Sequence, residues 1–306
     1  MPVFDTPEPI TADIDIVGSV QVIASDRTDT VVEVHPADPA DGASVQAAGQ
    51  TTVDFSGGRL VVRRPKLGAL ASLIGPRGSV KVTVGLPAGS HVKASSLAGI
   101  TTTGPLGEAI LHSSIGDVQV EEASRLEAKA AIGSVTVDRV AGPAEVTTSN
   151  GAMRIGALEG AATLESANGS ITVDRTAGAL QVKSANGDIT LRETGGVVQV
   201  KSANSSITIG RSLAGITART AWGRVRIDEV VSGTVHLETG RGDVSIGIAE
   251  GTAAWLDLHS KSGVVRSDLD AADGPEASDT VAEIRVTTDR GDIDIHRSWH
   301  PITSKE

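Results

Sequence analysis

The sequence predicts an all-β fold, a single-domain parallel β-solenoid that is β-helix-like and has coils of about eighteen residues. Three observations lead to this fold class. A short phrase recurs at constant spacing, a strict alternation of apolar and polar residues follows it, and only 2% of the residues are aromatic. A core with so few rings must be filled by aliphatic side chains, which suit stacked short strands.

The repeat is clearest in the middle of the chain. Asn150, Asn168, Asn186 and Asn204 follow one another at a constant interval, and glycine comes directly after the first three of them. Turn glycines continue in both directions with other residues before them, at Gly99, Gly116, Gly133, Gly223, Gly242, Gly263 and Gly291. A period sustained over most of the chain indicates one structural unit per repeat.

A strand of period two follows most of these glycines. Its two apolar residues are Val118/Val120, Val135/Val137, Met153/Ile155, Ile171/Val173, Ile189/Leu191, Ile207/Ile209, Val225/Ile227, Val244/Ile246 and Ile293/Ile295. A second alternating strand precedes the turn, as in LQVKS at residues 180–184. Strands with this pattern bury one face and expose the other.

Two architectures fit paired strands of this kind. Asn-Gly between alternating runs is typical of an antiparallel hairpin, but a meander of such hairpins leaves one apolar face uncovered. A parallel solenoid stacks each coil on the previous one and closes the core, so we favour it. In a solenoid Asn150, Asn168, Asn186 and Asn204 are expected to form a structural turn ladder of side-chain hydrogen bonds.

The organisation predicted along the chain has three parts. Residues 1–90 form irregular N-terminal coils or a cap with loops at 35–50 and 64–79, residues 91–266 form the regular rungs, and residues 267–306 hold an acidic insertion, the last rung and a C-terminal cap. The loop 64–79 places Leu67, Leu70, Leu73 and Ile74 at the spacing of a short amphipathic helix. This loop is either a lid on the solenoid or a docking site for a partner.

The repeat and three further stretches resemble a known group of proteins. The S-A-N-G-[SD]-I-T-[VL] rungs, LPAGSHV at 86–92, EGTAAWLDLHSKSG at 250–263 and TTDRGDIDIH at 287–296 are similar to a bacterial β-strand-repeat family of unknown function labelled "putative adhesin". The resemblance covers nearly the whole chain. It implies a β-helix-like solenoid and supplies no catalytic residues.

Composition excludes several classes of function. Without cysteine there is no disulfide, thiol chemistry or Cys-ligated zinc, and a net charge of −11 disfavours nonspecific binding of nucleic acid. Because the sequence shows neither a signal peptide nor a long apolar run, we expect a cytoplasmic protein without a membrane span. The seven histidines are scattered, so no metal and no cofactor are expected.

Acidic residues at the corners raise the possibility of an enzyme. Asp117, Asp188, Asp243 and Asp292 each follow a turn glycine and could form the carboxylate pairs of a carbohydrate-active lyase or hydrolase of β-helix type. Aspartate is, however, also favoured at corners because its side chain hydrogen-bonds nearby backbone. With three tryptophans and no tyrosine, the sequence offers few sugar-binding platforms, so we expect a protein that is not an enzyme.

A positive strip is the clearest candidate binding site outside the loop. Lys183, Lys201 and Arg219 occupy the same outward position of successive repeats and would stack about 5 Å apart. Such a strip could bind an anionic ligand, or it could be a solvated face balanced by Glu165 and Glu193. The sequence therefore predicts a non-catalytic, adhesin-like binding or scaffolding protein that engages an unknown protein partner or self-associates.

Overall fold

The computed structural model describes residues 1–64, 78–269 and 280–298. The chain folds into two compact units, residues 1–155 and 156–306, which are described separately. Nearly all of the described residues that have regular structure lie in β-strands. The fold class predicted from the repeat, an all-β parallel solenoid, is confirmed.

The described part of the first unit contains twelve complete strands and one helix. These are β1 (Val3–Asp5), β2 (Thr11–Ile16), β3 (Gly18–Ser25), β4 (Asp29–Pro36), α1 (Gly42–Gln50), β5 (Thr52–Ser56), β6 (Arg59–Arg63), β7 (Val80–Pro87), β8 (His91–Ser96), β9 (Ile100–Ile115), β10 (Val118–Ile132), β11 (Val135–Val140) and β12 (Ala144–Asn150). The unit boundary falls within β13 (Met153–Leu158).

The start of the first unit mixes antiparallel and parallel pairing, since β2 pairs parallel with β6 and β8, and β3 pairs parallel with β7 and β9. Strand β4 pairs antiparallel with both β1 and β7, and β5 and β6 form an antiparallel hairpin. From β9 onward the partners are parallel, because β9 pairs with β10, and β10 pairs with β11 and β12. The regular rungs thus follow a start of different topology.

Helix α1 lies inside the segment 35–50 that the sequence predicted as a polar loop. The Asp41 carboxylate caps it by accepting hydrogen bonds from the backbone amides of Ala43 (3.1 Å) and Ser44 (3.0 Å). The prediction was wrong here because the polar residues before the helix dominated the pattern. An aspartate N-cap followed by several alanines and glutamines, which have good helix propensity, was the signal to recognise.

The second unit consists of β-strands alone within its described part. They are β14 (Ala162–Asn168), β15 (Ile171–Thr176), β16 (Leu180–Asn186), β17 (Ile189–Thr194), β18 (Val198–Asn204), β19 (Ile207–Ser212), β20 (Ile216–Trp222), β21 (Val225–Val230), β22 (Gly233–Arg241), β23 (Val244–Ile248), β24 (Thr252–Ser260), β25 (Val265–Ser267), β26 (Thr280–Arg290) and β27 (Ile293–Arg297).

These strands stack as rungs, a rung being two consecutive strands joined at one corner. The strands before the corner pair in the order β14-β16-β18-β20-β22-β26-β24, and those after it in the order β15-β17-β19-β21-β23-β27-β25. Every one of these pairings is parallel, so the antiparallel meander is excluded for this unit.

The inward residues of both units form aliphatic cores. All nine apolar pairs after the corner are buried, eight of them following a glycine and Ile207/Ile209 following Ser205, with relative exposures of 2% or less. Strands that bury one face stabilise the fold by about 25 cal/mol for each Å² of apolar surface removed from water. The predicted aliphatic core is therefore confirmed within each unit.

The last rung in space is not the last rung in sequence. Strands β26 and β27 lie between β22–β23 and β24–β25, because β26 pairs with both β22 and β24. The rung that the sequence places within 267–306, β26–β27, is the last one along the chain, whereas the outermost described rung is β24–β25.

Several predicted features lie outside the described residues. They are the loop residues Leu67, Leu70, Leu73 and Ile74, most of the acidic insertion, and the end of the chain from residue 299. Within the part of the chain that the structure describes, no helix has the length and apolarity needed to cross a membrane. The cytoplasmic location stays a prediction.

Candidate binding face and corner

The outward residues of the strands before the corner form a column on one face of the second unit. A column is defined here as the residues at one position of successive rungs. Strand pairing places Glu165, Lys183, Lys201, Arg219 and Glu238 in a single column, each directly beside the next. We call this the face column. It brings together the three cations that the sequence predicted to stack.

Carboxylates neutralise the two ends of the three-cation run. Lys183 Nζ lies 2.7 Å from Glu165 Oε1, and Arg219 Nε lies 2.9 Å from Glu238 Oε2. No ion pair of Lys201 is found among the described residues. The positive charge of the face column is therefore concentrated at its central lysine.

The balance of charge differs in part from the one expected. Glu165 pairs with Lys183 as anticipated, but Glu193 lies on β17 and is the register neighbour of Arg175 and Arg211. Because residues 189–194 follow the corner, Glu193 belongs to a different face from Lys201. The second balancing residue of the face column is Glu238.

Side-chain amides form two ladders near the face column. Asn186 donates from Nδ2 to Asn168 Oδ1 at 3.0 Å, and Asn204 donates in the same way to Asn186 at 3.0 Å. Beside the cations, Gln181 donates from Nε2 to Gln199 Oε1 at 3.0 Å. Asn150 occupies the corresponding end of β12 in the first unit, where it is the register partner of Ile132.

The corner column changes its chemistry after the asparagines. The register continues from Asn204 to Trp222, Arg241 and Arg290 in three successive rungs. The Arg241 guanidinium carbon lies 4.5 Å from the centroid of the Trp222 ring. Sequence reasoning missed this cluster, although a change of residue type before an otherwise constant glycine was a usable signal.

The corner acids are engaged with the backbone. Each accepts a hydrogen bond at Oδ1 from the amide of the residue above it, which is Ser134 for Asp117 (2.8 Å), Ser206 for Asp188 (3.3 Å), Asp292 for Asp243 (3.1 Å) and Val264 for Asp292 (2.8 Å). These bonds link successive rungs at the corner. The geometry supports the structural interpretation of these aspartates over a catalytic ladder.

Histidines lie apart from one another in the described residues. His91 Nδ1 accepts a hydrogen bond from the Glu108 amide at 2.9 Å, and His236 Nε2 lies 2.7 Å from Glu238 Oε1. The described ranges contain no group of three His, Cys, Asp or Glu residues arranged to hold a metal ion.

The fold defines the class of protein as an all-β repeat protein built of parallel solenoid rungs. The family model described as Toastrack DUF4097 matches residues 14–229. The chain therefore belongs to the Toastrack family, whose domain has no known function, and the resemblance predicted from the sequence is confirmed. None of the curated proteins compared matches the chain.

Three solved structures are similar to the chain at low identity. A "putative adhesin" from Bacteroides fragilis is 14% identical, with 96% of this chain and 95% of that chain covered and a TM-score of 0.27. A "putative lipid binding protein" from Parabacteroides distasonis is 9% identical, with 96% and 95% covered and a TM-score of 0.29. A "putative cell adhesion protein" from Clostridium sporogenes is 10% identical, with 97% and 98% covered and a TM-score of 0.17.

Proposed function

We propose that this protein is a non-catalytic, adhesin-like binding protein whose face column binds an acidic segment of a partner protein. The observation that carries the proposal is the run Lys183–Lys201–Arg219, whose central lysine has no ion pair among the described residues. Stacked like charges repel one another, so their arrangement on one exposed face favours an anionic partner that relieves the repulsion.

The geometry favours an extended acidic segment over a single small anion. Parallel rungs repeat every 4.7–4.9 Å or so, which places the outer two cations about 10 Å apart. An extended peptide presents alternate side chains about 7 Å apart on one side, so two carboxylates can lie along three cations. The flanking carboxylates of Glu165 and Glu238 limit the length of such a contact at both ends.

A labelled poly-glutamate peptide tests this function directly. We expect saturable binding in fluorescence anisotropy that weakens as the salt concentration rises, with no binding of poly-lysine. Lys201→Ala should raise the Kd about 3- to 10-fold because it removes the unneutralised charge. Arg192→Ala is the matched control, since it removes an exposed cation that lies after the corner and ion-pairs with Asp174 at 3.3 Å.

Two outcomes would contradict the proposal. If Lys201→Ala and Arg192→Ala weaken peptide binding equally, binding depends only on the net charge of the protein. If the peptide does not bind but sedimentation shows a dimer that Lys201→Ala dissociates, the partner of this face is a second copy of the chain.

A further inference from the structure

The corner column departs from its own repeat over three rungs of the second unit. The side chains of Asn168, Asn186 and Asn204 form a ladder in which each amide donates to the one before it. The next three positions of the column are Trp222, Arg241 and Arg290. A fourth asparagine would extend the ladder at no cost in backbone geometry, since Gly223 follows this position as Gly187 follows Asn186. Natural sequences depart from a locally consistent pattern most often where function requires it.

The indole ring of Trp222 holds the first guanidinium in place. The Arg241 guanidinium carbon is 4.5 Å from the ring centroid, within the range of a cation–π interaction. The Trp222 side chain remains 55% exposed, so it contributes little to the core. Restricting the arginine in this way lowers the entropic cost of binding a ligand.

The carboxylates near the corner already have other cations. Asp243 lies 3.6 Å from Arg224 Nη2, Asp289 lies 2.6 Å from Lys261 Nζ, and Asp292 lies 3.9 Å from Arg266 Nη1. The hydrogen bond from Lys261, followed by its charge and then by a smaller effect of the Arg290 charge, lowers the pKa of Asp289 below its usual value. In the described part of the chain neither Arg241 nor Arg290 has a carboxylate at ion-pair distance.

We infer that Trp222, Arg241 and Arg290 form a binding site for a phosphate group, which we call the corner site. The two arginines are register neighbours in adjacent parallel rungs, about 5 Å apart at the backbone. A guanidinium offers a planar fork of donors that matches two oxygens of an oxyanion. A carboxylate carries one charge on two oxygens, whereas a phosphate carries a larger negative charge and has enough oxygens to offer each fork a pair of its own.

Tryptophan fluorescence tests the corner site with inorganic phosphate as the probe. The chain has three tryptophans and no tyrosine, so a Trp255→Phe/Trp299→Phe variant leaves Trp222 as the reporter. We expect a saturable change in emission with phosphate at constant ionic strength, and a response at least 10-fold weaker with acetate. Isothermal titration calorimetry of the unmodified chain measures the same binding if the emission does not change.

Substitutions distinguish recognition of phosphate by the two guanidinium groups from a general effect of positive charge. Arg290→Gln should weaken phosphate binding at least 10-fold, and Arg241→Lys should also weaken it because it keeps the charge but loses the fork. Arg224→Gln is the matched control, an exposed arginine of the same corner that is paired with Asp243, and it should change the affinity less than 3-fold. Circular dichroism and urea unfolding establish that each variant is folded.

The proposal is overturned if acetate and phosphate bind equally, if Arg290→Gln binds phosphate like the unmodified chain, or if calorimetry and fluorescence both show no phosphate binding. The corner site does not rest on the face column. Lys201→Ala should leave phosphate binding unchanged, so failure of one proposal is distinguishable from failure of the other.

Discussion

At the scale of single residues, the short distance between successive rungs requires glycine at most corners. Gly187 has a φ of +117°, and a Cβ added there would lie 2.3 Å from the carbonyl oxygen of Gly169 in the rung below. Both the backbone conformation and the contact exclude larger residues. Ser205 takes the glycine position of the next rung, and no residue other than glycine has positive φ in the described chain. The corner at Ser205 therefore has a different backbone conformation.

Gly187→Ala should lower the free energy of unfolding by about 2–4 kcal/mol, through backbone strain and the clash with Gly169. Gly49→Ala is the control, since no heavy atom lies within 4 Å of a Cβ at that position in helix α1. Alanine is the better helix former, so this change should be stabilising by roughly 0.5–1 kcal/mol. Urea unfolding measures both. A Gly187→Ala protein as stable as the unmodified chain would contradict the close packing of the corners.

Asp13 in the first unit should make stability depend on pH. Burial raises its pKa, but hydrogen bonds from Arg59 (2.8 Å) and Arg63 (3.0 Å) outweigh burial and hold the pKa below its usual value. A lowered folded-state pKa contributes stability above the unfolded value of about 3.9, and that stability is lost as the pH falls through the folded-state pKa.

Asp13→Asn should therefore destabilise the protein by about 1–2 kcal/mol at pH 7 and by much less near pH 3. The measurement is the urea midpoint of the two proteins across this pH range. A difference that stays constant with pH would mean that the Asp13 carboxylate contributes no charge-dependent stability.

At the scale of elements, the two outward charge columns of the second unit follow opposite rules. On the strands after the corner, Arg175, Glu193, Arg211 and Glu229 alternate in sign along the register, and Arg211 Nε lies 3.0 Å from Glu229 Oε2. The face column instead places three cations together. Opposite charges directly across a ladder stabilise a sheet, and like charges destabilise it. Repulsion within the face column therefore lowers the stability of the second unit, whereas attraction within the alternating column raises it.

Lys201→Glu should therefore stabilise the second unit by about 0.3–1 kcal/mol while abolishing binding of the acidic peptide. The matched change on the alternating column is Glu193→Lys, which should destabilise by a similar amount because it places three cations in a row. Thermal unfolding and peptide anisotropy on the same samples check both effects. A Lys201→Glu protein that loses stability would show that repulsion in the face column is already relieved by solvent.

At the scale of the whole chain, the repeat made most of the fold predictable. The alternation after the corner identified nine buried pairs, since period two is what a half-buried strand requires. Because a meander of hairpins would leave one apolar face uncovered, parallel rungs were correctly favoured over hairpins. The stacking of Lys183, Lys201 and Arg219 followed from the same spacing, because residues one repeat apart become register partners.

Features that depend on a single position or on chain connection were not predictable in this way. The corner column has no constant residue type from Trp222 onward, so periodicity could not identify the contact of Trp222 with Arg241. Helix α1 depends on a local cap at Asp41 and has no counterpart in the repeat. The order of the outer rungs depends on the insertion of the returning strand β26 between β22 and β24, and periodicity alone does not specify it.

That rung order makes a prediction about hydrogen exchange in the second unit. Strand β26 is paired on both sides, with β22 and β24, whereas β24 pairs with β26 alone within the described residues. Outer rungs of repeat proteins open more readily than inner ones, so amides of β26 should exchange at least about 10-fold more slowly than those of β24. Strand β16, paired with β14 and β18, provides the reference for an inner strand. Faster exchange in β26 than in β24 would mean that the rungs stack in chain order, because the strand nearer the end of the chain would then lie outermost.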